Sequence, residues 1–77
     1  MDWQKTVTEA DEIAVFKALD RPESTWRTIG GIARQTGLSE ARVAEILARY
    51  DLTLTRHADT PSLSGSALVA LIEKVGA

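Results

Sequence analysis

The sequence predicts an α+β domain of three helices and a small antiparallel β-hairpin. Three observations predict it. The stretch Ile32–Leu47 reads as two short helices joined by a tight turn, the helix-turn-helix arrangement. Leu52-Thr53-Leu54-Thr55-Arg56 alternates apolar and polar residues, as a half-buried strand does. The run Ala58–Gly65 is turn-forming throughout and separates that strand from a second apolar segment able to pair with it. The expected order is helix, short strand, helix, helix, strand, loop, strand.

Each element has a local reason. Residues 1–7 carry little pattern and are expected to form a loose N-terminal segment, unless Trp3 folds back onto the domain. Thr6 with Glu9, or Thr8 with Asp11, offers a capping box for the first helix. Glu9, Asp11 and Glu12 crowd its first turn, where the helix dipole favours negative charge. Ile13, Phe16 and Leu19, with Ala10 and Val15, supply its buried face. The helix ends near Asp20, because Pro22 disfavours helical geometry in the residue before it. Thr25-Trp26-Arg27 is a short extended piece, and Trp26 is expected in the core, with an exposed stacking platform as the alternative.

Thr28 is placed to cap a helix over Ile29–Thr36, with Ile29, Ile32 and Ala33 facing the core. Gly30-Gly31 inside it costs on the order of 1–2 kcal/mol of helix propensity, which the close approach of a neighbouring backbone would explain. Gly37 stops this helix, since glycine accepts a left-handed turn without steric cost. Ser39 caps the next helix, Glu40–Tyr50, whose Val43, Ile46, Leu47 and Tyr50 form one apolar stripe. In the segment 66–75, Leu68, Leu71, Ile72 and Val75 fit a helical spacing. The strand at 52–56 nevertheless needs a partner, and only Ala67–Glu73 can close a hairpin with it, so the segment is assigned as strand.

Length and composition bound the function. The 77 residues make a single domain, 1–77, that buries only about 60% of the surface its unfolded chain exposes. There is no cysteine, hence neither a disulfide framework nor a thiolate metal site. No apolar run approaches the length of a membrane span, and the N-terminus lacks a secretory pattern, so cytoplasmic residence is expected. The net charge is −2, which is not the global signature of a nucleic-acid binder. The charge is unevenly spread: residues 21–57 carry six Arg against four acids, while residues 1–20 carry two Lys against five.

Catalytic chemistry is not expected. His57 is the only histidine, and no set of residues has metal-ligand or nucleophile–base spacing. We therefore expect no enzyme, no cofactor and no small-molecule substrate.

The order of elements looks like a winged-helix (winged helix-turn-helix) domain over about Thr8–Lys74. Trp26-Arg27-Thr28-Ile29-Gly30-Gly31-Ile32-Ala33, followed by Thr36-Gly37-Leu38-Ser39, is similar to small bacterial winged-helix domains of poorly defined function. The resemblance implies that helix Glu40–Tyr50 is the recognition helix entering the DNA major groove and that Ala58–Gly65 is the tip of the wing. A DNA-binding module, of a transcriptional regulator or a larger protein, is then the first expectation. Its candidate contacts are Arg34, Ser39, Glu40, Ala41, Arg42, Glu45, Arg49, Arg56 and His57. Four phosphate contacts from Arg34, Arg42, Arg49 and Arg56 would give a salt slope of about −3.6.

The residues of the helix give a rival. Its outward centre is Ala41, Ala44, Glu45 and Ala48, where direct base reading favours Arg, Asn, Gln or Lys. Glu45 lies three residues from Arg42 and four from Arg49, spacings that allow ion pairs along the helix. The alternative is a protein-interaction or adaptor domain, with a protein partner or a second copy on Ala41, Ala44 and Ala48, or with a strand added at the unpaired edge of the wing.

Overall fold

Thr28, Gly37 and Ser39 set the ends of the two central helices, each as its residue type requires. The computed structural model describes residues 3–63 and 65–76. Helix α2 spans Ile29–Thr36 and α3 spans Glu40–Arg49. The Thr28 hydroxyl accepts from the Gly31 amide at 3.0 Å, and the Ser39 hydroxyl accepts from the Arg42 amide at 3.1 Å. Gly37 adopts φ 79°, and its amide closes the last turn of α2 on the Ala33 carbonyl. The tight neighbour of Gly31 is this capping hydroxyl rather than a backbone: a Cβ there would stand 3.1 Å from Thr28 Oγ1 and 3.5 Å from Arg27 Nη2.

Helix α1 spans Ala10–Leu19 and packs against both central helices. Neither proposed capping box forms. Glu9 is the N-cap and makes no side-chain cap hydrogen bond. Its carboxylate is drawn away to Arg42.

Strands β1 (Arg27–Thr28), β2 (Thr55–His57) and β3 (Leu68–Leu71) form an antiparallel sheet in the order β1-β3-β2. The hairpin register pairs Thr55 with Leu71, Arg56 with Ala70 and His57 with Val69. Val69 and Leu71 of the central strand join Val15, Phe16, Leu19, Ile32, Val43, Ile46 and Leu47 in the core.

Further expectations are decided by the packing. Residues 3–7 are not loose: Trp3 is 4% exposed, lies 5.5 Å from the Phe16 ring, and donates its indole N–H to Asp20 Oδ2 at 3.0 Å. Residues 1 and 2 of that segment, like Ser64 of the predicted loop and Ala77, lie outside the described residues. Trp26 is only half-buried and stays out of the core. The next residue, Arg27, turns inward instead, donating to the Ala18 carbonyl at 3.0 Å. Residues 52–54 form a turn rather than strand, because the Tyr50 carbonyl gathers the amides of Thr53, Leu54 and Thr55. Leu52 takes φ 65° there, a left-handed conformation costing a leucine roughly 1–2 kcal/mol.

The segment 66–75 is both strand and helix. β3 ends at Leu71, where pairing with β2 ends, and a short helix α4, Ile72–Val75, follows. That turn carries Lys74 Nζ to the C-terminal end of α1, where it donates to the carbonyls of Leu19, Arg21 and Ser24 at 3.2, 2.7 and 3.2 Å. A cation at a helix C-terminus meets the negative end of the dipole.

The two tryptophans should therefore differ sharply in urea denaturation. Trp3→Ala should cost about 3–5 kcal/mol, as emptying a buried aromatic site does. Trp26→Ala should cost about 1 kcal/mol. The reverse order would contradict the packing.

Candidate functional site

Helix α3 turns Val43, Ile46 and Leu47 into the core and leaves its other side chains toward α1, the start of α2, the β2–β3 loop and solvent. The α1 side is filled by charge. Glu12, in the first turn of α1, is 5% exposed. A buried carboxylate needs donors, and both come from the end of α3. Tyr50 Oη donates to Glu12 Oε1 at 2.6 Å, and Arg49 Nη1 donates to Oε2 at 2.8 Å. The Tyr50 ring meets Phe16 edge-on at 5.2 Å. The Tyr50 hydrogen bond, joined by Arg49, holds the Glu12 carboxyl below the usual carboxylate range although burial acts the other way. The same bond pushes the Tyr50 phenol up.

Two turns back, Arg42 binds three acids. It pairs with Glu45 on its own helix, with Glu9, and with Asp11 at 3.3 Å. Arg49 lies in addition 3.7 Å from Glu9 and 3.6 Å from Glu45. The pairs with Glu45 follow the helical spacing. The pairs with Glu9, Asp11 and Glu12 do not: those acids look like ordinary first-turn residues in the sequence. The signal that could have found them is the seven-residue spacing of Arg42 and Arg49, which sets both on one edge of α3. Two guanidinium groups thus face four carboxylates, and this edge is net negative.

The rest of the candidate set divides between two places. Arg34, Glu40, Ala41 and Ala44 line an open groove of about 670 Å³, with Thr28, Ile29 and Gly30 at the start of α2 and Ser66 and Ala67 of the β2–β3 loop. Arg34 is exposed and engages no acid among the described residues. A Cβ on Gly30 would stand 3.7 Å from Arg34 Nη1, so the bare glycine widens this end of the groove. Ser39 is spent on its cap, and Ala48 is exposed on α3 outside the groove. Arg56 and His57 lie elsewhere, on β2, beside Asp51, Leu52, Asp59 and Ile72. Among the described residues Arg56 reaches the Gly76 carbonyl at 3.5 Å and no acid, and His57 Nδ1 is 3.6 Å from Asp51.

Sequence reasoning passed over two exposed leucines. Leu63 at the β2–β3 loop is fully exposed, and Leu52 is 78% exposed. Leu63 lies in a segment that reads as turn, whereas Leu52 reads as the apolar, half-buried side of a strand. Among the described residues no three His, Cys, Asp or Glu side chains are grouped to hold a metal, and no helix is long and apolar enough to cross a membrane.

Compared with known proteins, the chain matches no family model, and no curated protein or solved structure is significantly similar to it.

The Tyr50–Glu12 bond gives a pH signature. The folded pKa of Glu12 is depressed below its unfolded value of about 4.3. Its contribution is therefore complete above that pH and is lost as pH falls through the folded value. Tyr50→Phe should lower stability at neutral pH by about 1.5–3 kcal/mol, the worth of a hydrogen bond to a charged group. It should also flatten the fall below about pH 4.3, so that the two stability curves converge in acid. Denaturant titrations at pH 7 and across the acid range check this; an undiminished gap in acid would remove Tyr50 as the source of the depression.

Proposed function

We propose that this chain is a winged-helix domain that docks a protein segment in the groove between α2, α3 and the wing, rather than nucleic acid. The order helix, strand, helix, turn, helix, hairpin supports the architecture, with the first strand β1 joining the hairpin through β3. The β2–β3 loop is then the wing and α3 the helix in the recognition position.

One observation carries the choice of partner: Arg42 and Arg49 are closed in ion pairs with acids of α1. A DNA phosphate approaching α3 would have to displace carboxylates already in place, on a net negative edge. The wing offers no compensation. Residues 58–67 contain Asp59 and no lysine or arginine, and Leu63 is exposed there. What α3 presents instead suits a protein. Ala41 and Ala44 let a partner backbone come close, and the charged side chains lining the groove, Arg34 and Glu40, are of opposite sign and lie at one end of it. A short segment with a small apolar residue over Ala44 and an acid near Arg34 fits this chemistry.

Nucleic-acid docking, the other reading, retains Arg34 as its unpaired cation in the groove. Two measurements separate the readings. Fluorescence anisotropy of labelled duplex DNA should show no binding at low salt, or binding with a slope of about −0.9, one phosphate's worth, rather than about −3.6. A steep salt dependence that Arg42→Ala with Arg49→Ala abolishes would overturn the protein reading. Conversely, peptides selected from a displayed library on the wild-type domain should lose at least about tenfold in affinity, about 1.4 kcal/mol, on Ala44→Arg. Peptides indifferent to that substitution would remove the groove as the docking site.

A further inference from the structure

Leu52 is costly to the fold twice over. It holds φ 65°, which a leucine rarely adopts, and it is 78% exposed. Glycine or asparagine would take that turn position without strain. The strained backbone is firmly held: the Leu52 amide donates to the Thr55 carbonyl at 2.8 Å, and the next three amides converge on the Tyr50 carbonyl. A strained, rigidly held and exposed apolar side chain returns nothing to the monomer, and residues kept in such conformations concentrate where a contact is made.

Its surroundings say what the contact is. Leu52 sits at a hollow of about 400 Å³ lined by Asp51, Arg56, His57, Asp59 and Ile72, which its own side chain leaves open. His57 is beside Asp51 at 3.6 Å. Arg56 and Asp59, by contrast, have no ion-pair partner among the described residues. One patch therefore holds an apolar knob, a hollow with the half-buried Ile72 as its apolar wall, an unpaired cation and an unpaired anion. Such a patch is complementary to itself under a two-fold axis, the geometry of an isologous dimer. An added extended strand fits less well. The Thr55 N–H and C=O, which point away from β3, are already engaged by Tyr50 and Leu52.

We propose that this chain self-associates through the β2 end of the sheet, Leu52 of each copy entering the hollow of the other, with Arg56 of each paired to Asp59 of the other. The surface is separate from the α2–α3 groove and does not depend on the reading given for it. Because the patch is small, the dimer is weak and forms with concentration.

Sedimentation equilibrium across a concentration series tests it. The wild-type mass should rise toward twice that of one chain. Leu52→Gly should remain monomeric throughout while its thermal midpoint equals or exceeds the wild type's, since the strain is relieved. Arg56→Asp and Asp59→Arg should each weaken association at least about tenfold, and their mixture should restore it. Ala44→Arg, in the groove, should dimerise like wild type. A wild type that stays monomeric at millimolar concentration overturns the proposal. So does a Leu52→Gly variant that dimerises unchanged, or a charge-swapped mixture that fails to recover.

Discussion

Glu12 is the constraint on which the arrangement of helices depends. Among the described residues it is the charged side chain taken into the core, and a carboxylate there is tolerated only with donors at good geometry. Tyr50 and Arg49 provide them from the far end of α3, across 38 and 37 positions of sequence. The Glu12 bonds reinforce the register of α1 on α3, because a displaced α3 would leave a buried charge unpaired. Tyr50 serves both sides of the balance, its ring against Phe16 and its hydroxyl on Glu12.

That register also decides which surface is left for a partner. Once Arg49 is held at Glu12, Arg42 lies two turns back along the same edge, over Glu9 and Asp11. The cations of α3 are turned toward the domain's own acids. The surface that remains on α3 is small in side chain and modest in charge. It adjoins a loop whose conspicuous residue is an exposed leucine rather than an arginine.

The termini complete the core by a similar logic. A chain of this length has little apolar surface to spare; Trp3 adds to the core, and Lys74 ties the other end of the chain to α1 by hydrogen bonds. Both converge on the C-terminal end of α1: the Trp3 indole binds Asp20, and Lys74 takes the carbonyls of Leu19, Arg21 and Ser24. Segment 66–75 splits into β3 and α4 for this reason. Its strand half completes the sheet, and its helical half delivers Lys74 to α1. The helical spacing of that segment and the need of β2 for a strand partner were each correct over part of it.

What was legible in the sequence is what acts over a few residues. The caps Thr28 and Ser39, the left-handed Gly37, the bounds of α2, the start of α3, and the inward stripe Val43, Ile46 and Leu47 all follow from local hydrogen bonding and a 3.6-residue period. Pairing of Glu45 with both arginines was legible for the same reason. The choice between equally apolar candidates was not, since burial of Trp3 over Trp26 depends on where Phe16 and Asp20 come to lie. Nor was the left-handed Leu52, because nothing in an alternating Leu-Thr-Leu-Thr run announces that one carbonyl will gather three amides. The sequence by itself determined three of the helices, the ends of α2, the start of α3 and the presence of a hairpin; only the tertiary structure decided where the hairpin strands end, that α4 follows them, and which charges remain free. Arg42 and Asp11 are 31 positions apart, and whether an arginine meets a carboxylate or solvent is settled by packing between helices, not by its neighbours in the chain.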